Sequence, residues 1–453
     1  MTNREETIVR SFGHSQVLVA GGGPTGICAA IAAGRSGATV TLLEEKPFVG
    51  GNATLGLPIM TFHAFNGEQI IHGLPQEVID RLVEVEGCTG HVEAHGAHMP
   101  SYALVDAEAM KYVGLQMLLE AGVRVMLHSF VVDALVGDRD AKGIVVAGKS
   151  GLGVFTADRI VDCTGDADVA ARAGAPFVKG RPEDGGMQAM SLNFRLGNVD
   201  LDALLEHFGE GLIVGRKPGE SVPRPIRGQG TFGPWEAEVE REGLFPDQRH
   251  HLWWNSFREG EVNINTTRVF GRDPTELASL TEAEIEGRRQ VYRVLGFLKR
   301  HVPGFAGAHL LSTGSQIGIR ETRRIIGEYT LTGDDVLEAR RFPDAVARGS
   351  YPVDIHDPSG RGWGVRFVKD GGSYDIPYRC LVPKEIENLL VAGRCISADH
   401  QAIGSTRVMA PCMAMGQAAG LAAALSVQAR VTPRHLNIES LRRALLGQKA
   451  NLG

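Results

Sequence analysis

Residues 16–45 read QVLVAGGGPTGICAAIAAGRSGATVTLLEE, and this stretch decides the fold. The apolar run Gln16–Ala20 fits a buried strand, and Pro24–Ser36 fits a helix of small residues with proline in its first turn. Gly37 is the stop, and Thr39–Leu43 is a second strand. Strand, helix and strand in this succession make a βαβ unit. The turn into the helix carries Gly21, Gly23 and Gly26 in the spacing G-x-G-x-x-G, with Pro24 and Thr25 between them. The first glycine permits a tight turn, the second lets bare backbone approach a pyrophosphate, and the third lets the helix pack closely on the strand. In a chain with 58 glycines the spacing alone also describes an ordinary turn. Glu44 separates the two readings. It ends the second strand 18 residues after Gly26, where a carboxylate accepts the hydroxyls of an adenosine ribose. Glu45 is adjacent, but the alternation Val40, Leu42, Glu44 favours Glu44. The stretch predicts dinucleotide binding.

The rest of the chain must supply the remainder of such a domain. From Val123 the sequence breaks into short β-branched runs separated by Gly, Asp and Lys turns and ends in the buried run RIVDCTG, which predicts an antiparallel meander. The middle, Phe177–Pro383, is mixed in polarity and carries a helical apolar spacing at Ile285, Val291, Leu295 and Leu298. It predicts a substrate-facing insertion. The end again reads strand, glycine-rich loop and helix. Its long small-apolar run, Ala410–Val427, is interrupted by Gln417 and glycines and predicts a buried helix.

Composition excludes several function classes. At 453 residues, with 43% apolar and 22% charged residues, the chain supports two domains or one with a large insertion. A formal charge of −6 and pI near 6.2 leave no basic stripe for nucleic acid. Six cysteines, none in a C-x-x-C pair, exclude zinc ribbons and iron–sulfur clusters, and predict small buried hydrophobes. The first residues, MTNREETIVRSFGHS, have no apolar core of a signal peptide, so a cytoplasmic location is expected.

The motifs after the βαβ unit narrow the cofactor. LLEEKPFVGGNAT, RIVDCTGDADVAARAGAP, NLLVAGRCISADHQAIGS and STRVMAPCMAMGQAAGLAAAL, in this order, resemble the FAD-dependent oxidoreductase family with a glutathione-reductase-like FAD fold, kin to fumarate reductase flavoproteins and heterodisulfide reductase flavoprotein subunits. The resemblance implies an α/β fold: a Rossmann-like FAD-binding domain with an antiparallel β-meander and an inserted α+β substrate domain. The divisions expected are 1–62, 100–176 and 384–453 for the FAD domain, 63–99 for a loop and helical excursion near the flavin, and 177–383 for the substrate domain. It implies FAD as cofactor, held also by Gly51, Asn52, Thr164, Gly165, Gly393, Arg394, Asp399, Gly404 and Ser405. Asp399 also reads as a helix-capping carboxylate. Val131, on an exposed β edge, is expected to offer main-chain groups to adenine. Covalent flavin attachment is left open by the His and Cys near the expected ring.

For chemistry, Arg320, Arg323 and Arg324 share one face if helical, and Arg320, between apolar and small neighbours, is the candidate to clamp a carboxylate. Arg323 and Arg324 read as a glutamate-paired face. Asp354 and His356 fall on one side of an extended strand, where the carboxylate orients the imidazole. His400, Arg407 and His63 are further candidates, the histidines for proton transfer and Arg407 for the substrate or flavin O2. His91, His95 and His98 with Glu93 match no ligand spacing, so no metal is expected. No second complete dinucleotide fingerprint appears for a pyridine nucleotide. The expected activity moves a hydride between a small polar, carboxylate-bearing substrate and flavin N5. The alternatives are a fumarate-reductase-like C=C reductase and an electron-transfer subunit. The expected partners are the small-molecule substrate and an unnamed electron acceptor, with no nucleic acid and no membrane, and a homo-oligomer is compatible with the chain.

Overall fold

The computed structural model describes residues 10–94, 98–208, 213–214, 226–245, 251–360 and 362–453. The βαβ unit forms as β1 (Arg10–Ala20), α1 (Pro24–Arg35) and β2 (Val40–Leu43). Val17–Ala20 and all of β2 are buried, as strands covered on both faces are. β1 begins before Gln16 because Arg10–Ser15 find a ladder partner in the long strand Gly151–Asp162, which runs parallel to β1 over its whole length.

That twelve-residue strand organises the sheet. Its other edge accepts two partners in succession, Asp140–Gly148 antiparallel along Gly151–Thr156 and Leu389–Val391 parallel along Ile160–Asp162. Phe130–Gly137 completes the meander as an end strand, and Arg124–Met126 adds to β2 on the far side. The described residues so join a parallel layer to an antiparallel one in a seven-stranded sheet.

The helix Met409–Gln428 lies on α1. Its composition follows from that contact: a Cβ on Gly416 would overlap the carbonyl oxygen of Thr25, and one on Gly420 that of Ala29. The helix is long and apolar enough to cross a membrane, with mean hydropathy 1.3, but 83% of that window is buried within the protein. The apolar surface is spent on α1 and the sheet.

A second body carries a six-stranded antiparallel sheet, including Phe194–Gly197, Ile226–Thr231, His251–Ser256 and Val262–Ile264, and the 25-residue helix Leu277–His301. Its core joins Phe194, Trp254, Val291, Phe297 and Leu298. Ile285, expected in the apolar stripe, is 47% exposed. Six residues to Val291 correspond to about 600° of helix, roughly 120° off the buried face. The second core spans Met190 to Ile317, whereas Leu331, Val346, Tyr374 and Val382 pack in the core of the first body with α1. The apolar partition is thus narrower than the 177–383 insertion expected from composition. The excursion after residue 62 contains the helix Leu74–Glu84, packed on Met409–Gln428.

Candidate functional site

A cavity of about 720 Å³ is lined by both bodies. One part of its lining is backbone. Gly21 takes a left-handed φ of +93°, and a Cβ there would lie 2.5 Å from the Cys163 oxygen. A Cβ on Gly26 would overlap the Gly21 oxygen, so this glycine brings helix and strand together and does not itself face the cavity. Gly23 differs from both. It is the N-cap of α1, with φ −69° and ψ −178°, and no side chain caps the helix. A Cβ there would meet only the Cα of Gly51, at 4.0 Å. The space beside Gly23 is open to the cavity, and a ligand group can come against bare backbone. Ile27 N donates to Gly23 O at 2.9 Å, which leaves the amides of Thr25 and Gly26 at the positive end of the helix dipole. This is a cradle for a pyrophosphate.

The flanking groups suit the rest of a dinucleotide. Glu44 is buried at the cavity wall. Its Oε2 accepts the Gly22 N–H at 2.6 Å and its Oε1 the Lys46 N–H at 2.9 Å. Burial raises its pKa, against the pull of the Lys46 and Gly22 donors. Glu45 lines the cavity too, ion-paired with Lys46. Gly51 and Asn52 line it from a short helical turn, and Val131 from the end strand of the sheet. Thr164 and Gly165 are held by Asp162, a buried carboxylate that sequence reading did not single out. It accepts Thr164 N at 3.0 Å, Thr164 Oγ1 at 2.7 Å, and the Val169 and Ala170 amides. Arg394 lines the cavity, tied to Asp166 at 2.7 Å and to Thr322 at 2.9 Å. These residues fit FAD: an open phosphate cradle at a helix start, a fixed carboxylate, and backbone-lined walls.

Several expected ligands lie elsewhere. Asp399 caps the short helix His400–Thr406, accepting the Gln401 and Ala402 amides at 2.9 and 2.7 Å and the Gly333 amide at 3.0 Å. Gly404 is a packing glycine, since its Cβ would lie 2.7 Å from Ile355 Cδ1 and 3.0 Å from the Asp354 oxygen. Ser405 is fully buried, its Oγ 2.6 Å from the Tyr374 hydroxyl. Gly393 adopts a left-handed φ of +90° beneath Thr25, where a Cβ would come 2.8 Å from Thr25 Oγ1. None of these four lines the cavity.

The side chains that do line it form a second kind of surface. Arg320 Nη1 donates to Ala189 O at 2.5 Å and Ser191 Oγ at 2.9 Å. Its pKa is depressed by burial first and then by the charges of Arg268 and Arg407. The segment is extended, with Arg323–Ile325 a strand, so the three arginines share no helical face. Arg323 turns to Asp168 at 3.1 Å, and Arg324 pairs with Glu321 and donates to Gly180 O at 2.8 Å. Asp354 and His356 sit on the strand Val353–His356 with Oδ2 and Nε2 3.9 Å apart, and both line the cavity. Asp354 also takes the Tyr351 hydroxyl at 3.1 Å, Trp363 Nε1, and Arg407 at 3.4 Å. The structure brings Arg320, Arg407 and His356 together in one cavity.

It does not bring His400 or His63 there. His400 Nδ1 lies 2.8 Å from Glu321 Oε1. His63 Nδ1 lies 3.2 Å from Ser101 Oγ, its ring 5.2 Å from that of His91, and burial lowers its pKa. His95 lies outside the described residues, and these residues contain no cluster suited to a metal ion. The six cysteines are all buried and free. Sequence reading missed Arg227, Arg268, Trp253, Tyr351 and Trp363, all on the cavity wall. They come from separate strands of the second body and the segment after it, and no local motif announces them.

Comparison with known proteins agrees with the cofactor side of the site. A stretch of 57 residues is 47% identical to sarcosine oxidase subunit alpha of Corynebacterium sp. (strain U-96), covering 13% of this chain and 5% of that relative's length. Two solved structures are similar over 97% of the chain at 12% identity. One is a geranylgeranyl bacteriochlorophyll reductase-like protein from Thermoplasma acidophilum (84% of that chain, TM-score 0.47). The other is the p-nitrophenol 4-monooxygenase of Pseudomonas putida DLL-E4 (87%, TM-score 0.48). The family model "FAD dependent oxidoreductase" matches residues 16–445. With the βαβ unit, the open phosphate cradle and the model match spanning nearly the whole sequence, the chain belongs to the FAD-dependent oxidoreductase family.

Proposed function

We propose that this FAD-dependent oxidoreductase acts on a small polar substrate bearing a carboxylate, with Arg320 and Arg407 binding the carboxylate and His356 moving the proton. FAD, when bound, supplies the hydride acceptor or donor. The observation that carries the reading is the meeting of Arg320, Arg407, Asp354 and His356 on the wall of the cavity that also holds the Gly21–Gly26 turn. A guanidinium offers a planar pair of donors to a carboxylate. Asp354, held by Tyr351, Trp363 and Arg407, keeps a negative charge beside the imidazole and favours its protonated form. An electron-transfer subunit has no need of such a wall of side chains.

The test is an anaerobic screen of carboxylates followed by stopped-flow flavin reduction. His356→Asn is expected to slow reduction by roughly 10²–10⁴-fold with an unchanged flavin spectrum. Arg320→Lys keeps the charge and loses the fork, and is expected to raise KM. Parental rates in both variants would refute the assignment.

A further inference from the structure

One carboxylate does not balance the cations gathered here. Arg227, Arg268, Arg320 and Arg407 all line the cavity, Arg227 being 7% and Arg268 6% exposed. The acid set among them is Asp354, already shared by Tyr351, Trp363 and Arg407. Glu284, also on the wall, is engaged by Arg288 and by the Ile317 amide. Arg320 and Arg268 converge on one neutral acceptor, Ser191 Oγ, at 2.9 and 3.0 Å, and their other bonds run to the carbonyls of Ala189 and Thr267. The Nε atoms of Arg227 and Arg407 are buried with no hydrogen-bond partner among the described residues. Buried cations answered by neutral groups are costly unless a ligand supplies the counter-charge. None of these hydrogen bonds runs to the Gly21–Gly26 turn, so the diphosphate cradle is a separate anion site.

The aromatic wall makes the imbalance count. The Arg227 guanidinium lies 5.8 Å from the Trp253 ring centroid, and His98 meets Trp253 and Trp363 edge-on at 5.3 and 5.9 Å. Such a wall excludes water and leaves the charges less screened.

We propose that the substrate of this site is a dicarboxylate, one carboxylate taken by the Arg268 and Arg320 pair at Ser191 and the other by Arg227 beside Trp253. This rests on the reading that the cavity binds a carboxylate-bearing substrate. The second anionic group is what the balance of charge adds to it. Arg227 is then a specificity residue that distinguishes a dianion from a monoanion on the same skeleton.

The test uses the FAD-loaded protein, titrated at constant ionic strength with propionate against succinate and with benzoate against isophthalate. Binding is read by the flavin difference spectrum and by thermal shift. A dianion at least tenfold tighter than its monoanion in either pair is the expected result. Arg227→Gln is expected to erase that gain while leaving monoanion affinity unchanged, and Arg227→Lys to restore part of it. Equal affinities within both pairs, or equal weakening of both members by Arg227→Gln, would overturn the inference and leave the one-carboxylate reading standing. Failure of every carboxylate to bind would overturn both. If Arg227→Gln does not fold, the comparison within each pair in the unaltered protein decides.

Discussion

Gly23→Ala is the sharpest test of the cofactor site, because the structure separates its effect on FAD from its effect on the fold. Gly23 has φ −69° and ψ −178°, an extended backbone that any residue adopts, and its Cβ would approach nothing nearer than 4.0 Å. The added methyl reduces unfolded-chain freedom by about 0.4–1 kcal/mol and forfeits a cap preference of similar size, so the stability of the protein without cofactor should stay within about 1 kcal/mol of the parent. The methyl does project into the open space against which the phosphates come. Pushing them off the Thr25 and Gly26 amides removes one or two charge-assisted hydrogen bonds of about 1.5–3 kcal/mol each. At about 1.4 kcal/mol per decade, FAD affinity should fall on the order of 10²–10³-fold or more. Gly26→Ala is the contrasting case: its Cβ overlaps the Gly21 oxygen, so it should damage the fold and lose FAD as a consequence. Urea unfolding of the cofactor-free proteins and fluorescence titration with FAD distinguish the two. Parental FAD affinity in Gly23→Ala would refute the phosphate cradle.

Two further outcomes follow from burial and charge. Glu44→Ala should weaken FAD binding by roughly 1.5–3 kcal/mol, less than Gly23→Ala, because one charge-assisted contact is lost while the phosphate cradle stays. The same titration checks it, and an unchanged Kd would remove Glu44 from the site. His91 packs on Phe62 with ring centroids 4.5 Å apart, and its pKa is lowered to about 4 by burial and by the neighbouring His63. The unfolded chain therefore takes up this proton near pH 6.5, while the folded protein resists it down to about pH 4. Stability should fall across that window by about 2 kcal/mol. In His91→Gln the fall in urea midpoint between pH 7 and pH 4.5 should be shallower, and parallel profiles would refute the assignment.

How much of this was legible in the sequence depends on whether backbone or side chains do the work. The phosphate turn is contiguous, and each of its glycines answers a local steric demand, so Gly21, Gly23, Gly26 and Glu44 could be read from spacing alone. The same logic misled at Gly404 and Ser405. A glycine beside a serine at a helix looks like a ligand approach, yet here Gly404 clears the backbone of Asp354 and Ser405 bonds Tyr374. The arginine helix failed because tertiary pairing overrode its period: Arg323 and Arg324 join Phe177–Lys179 as a strand and face different partners. The substrate wall was the least legible part. Arg227, Arg268, Arg320 and Arg407 lie on segments far apart in sequence, and their convergence is a property of the second body's folding.

The two histidines that each stand near an aspartate in sequence illustrate the distinction. His400 shares the Glu321 carboxylate with Arg324, and the Glu321 side chain has no exposed surface. The other Glu321 oxygen accepts the Gln188 amide at 3.2 Å, and Gln188 Oε1 in turn accepts the His356 amide at 3.4 Å. His400 therefore stands two residues behind the cavity, buttressing the strand that presents His356, and its imidazole is enclosed where no substrate proton arrives. This makes His400 a positioning residue. His400→Asn should lower Tm and slow flavin reduction modestly, with the pH profile of the rate keeping its midpoints, because the group that titrates during turnover is still present. His356→Asn should remove a limb of that profile. A lost limb in His400→Asn, with His356→Asn unaffected, would reverse the two roles and place the proton path on the Glu321 side of the strand.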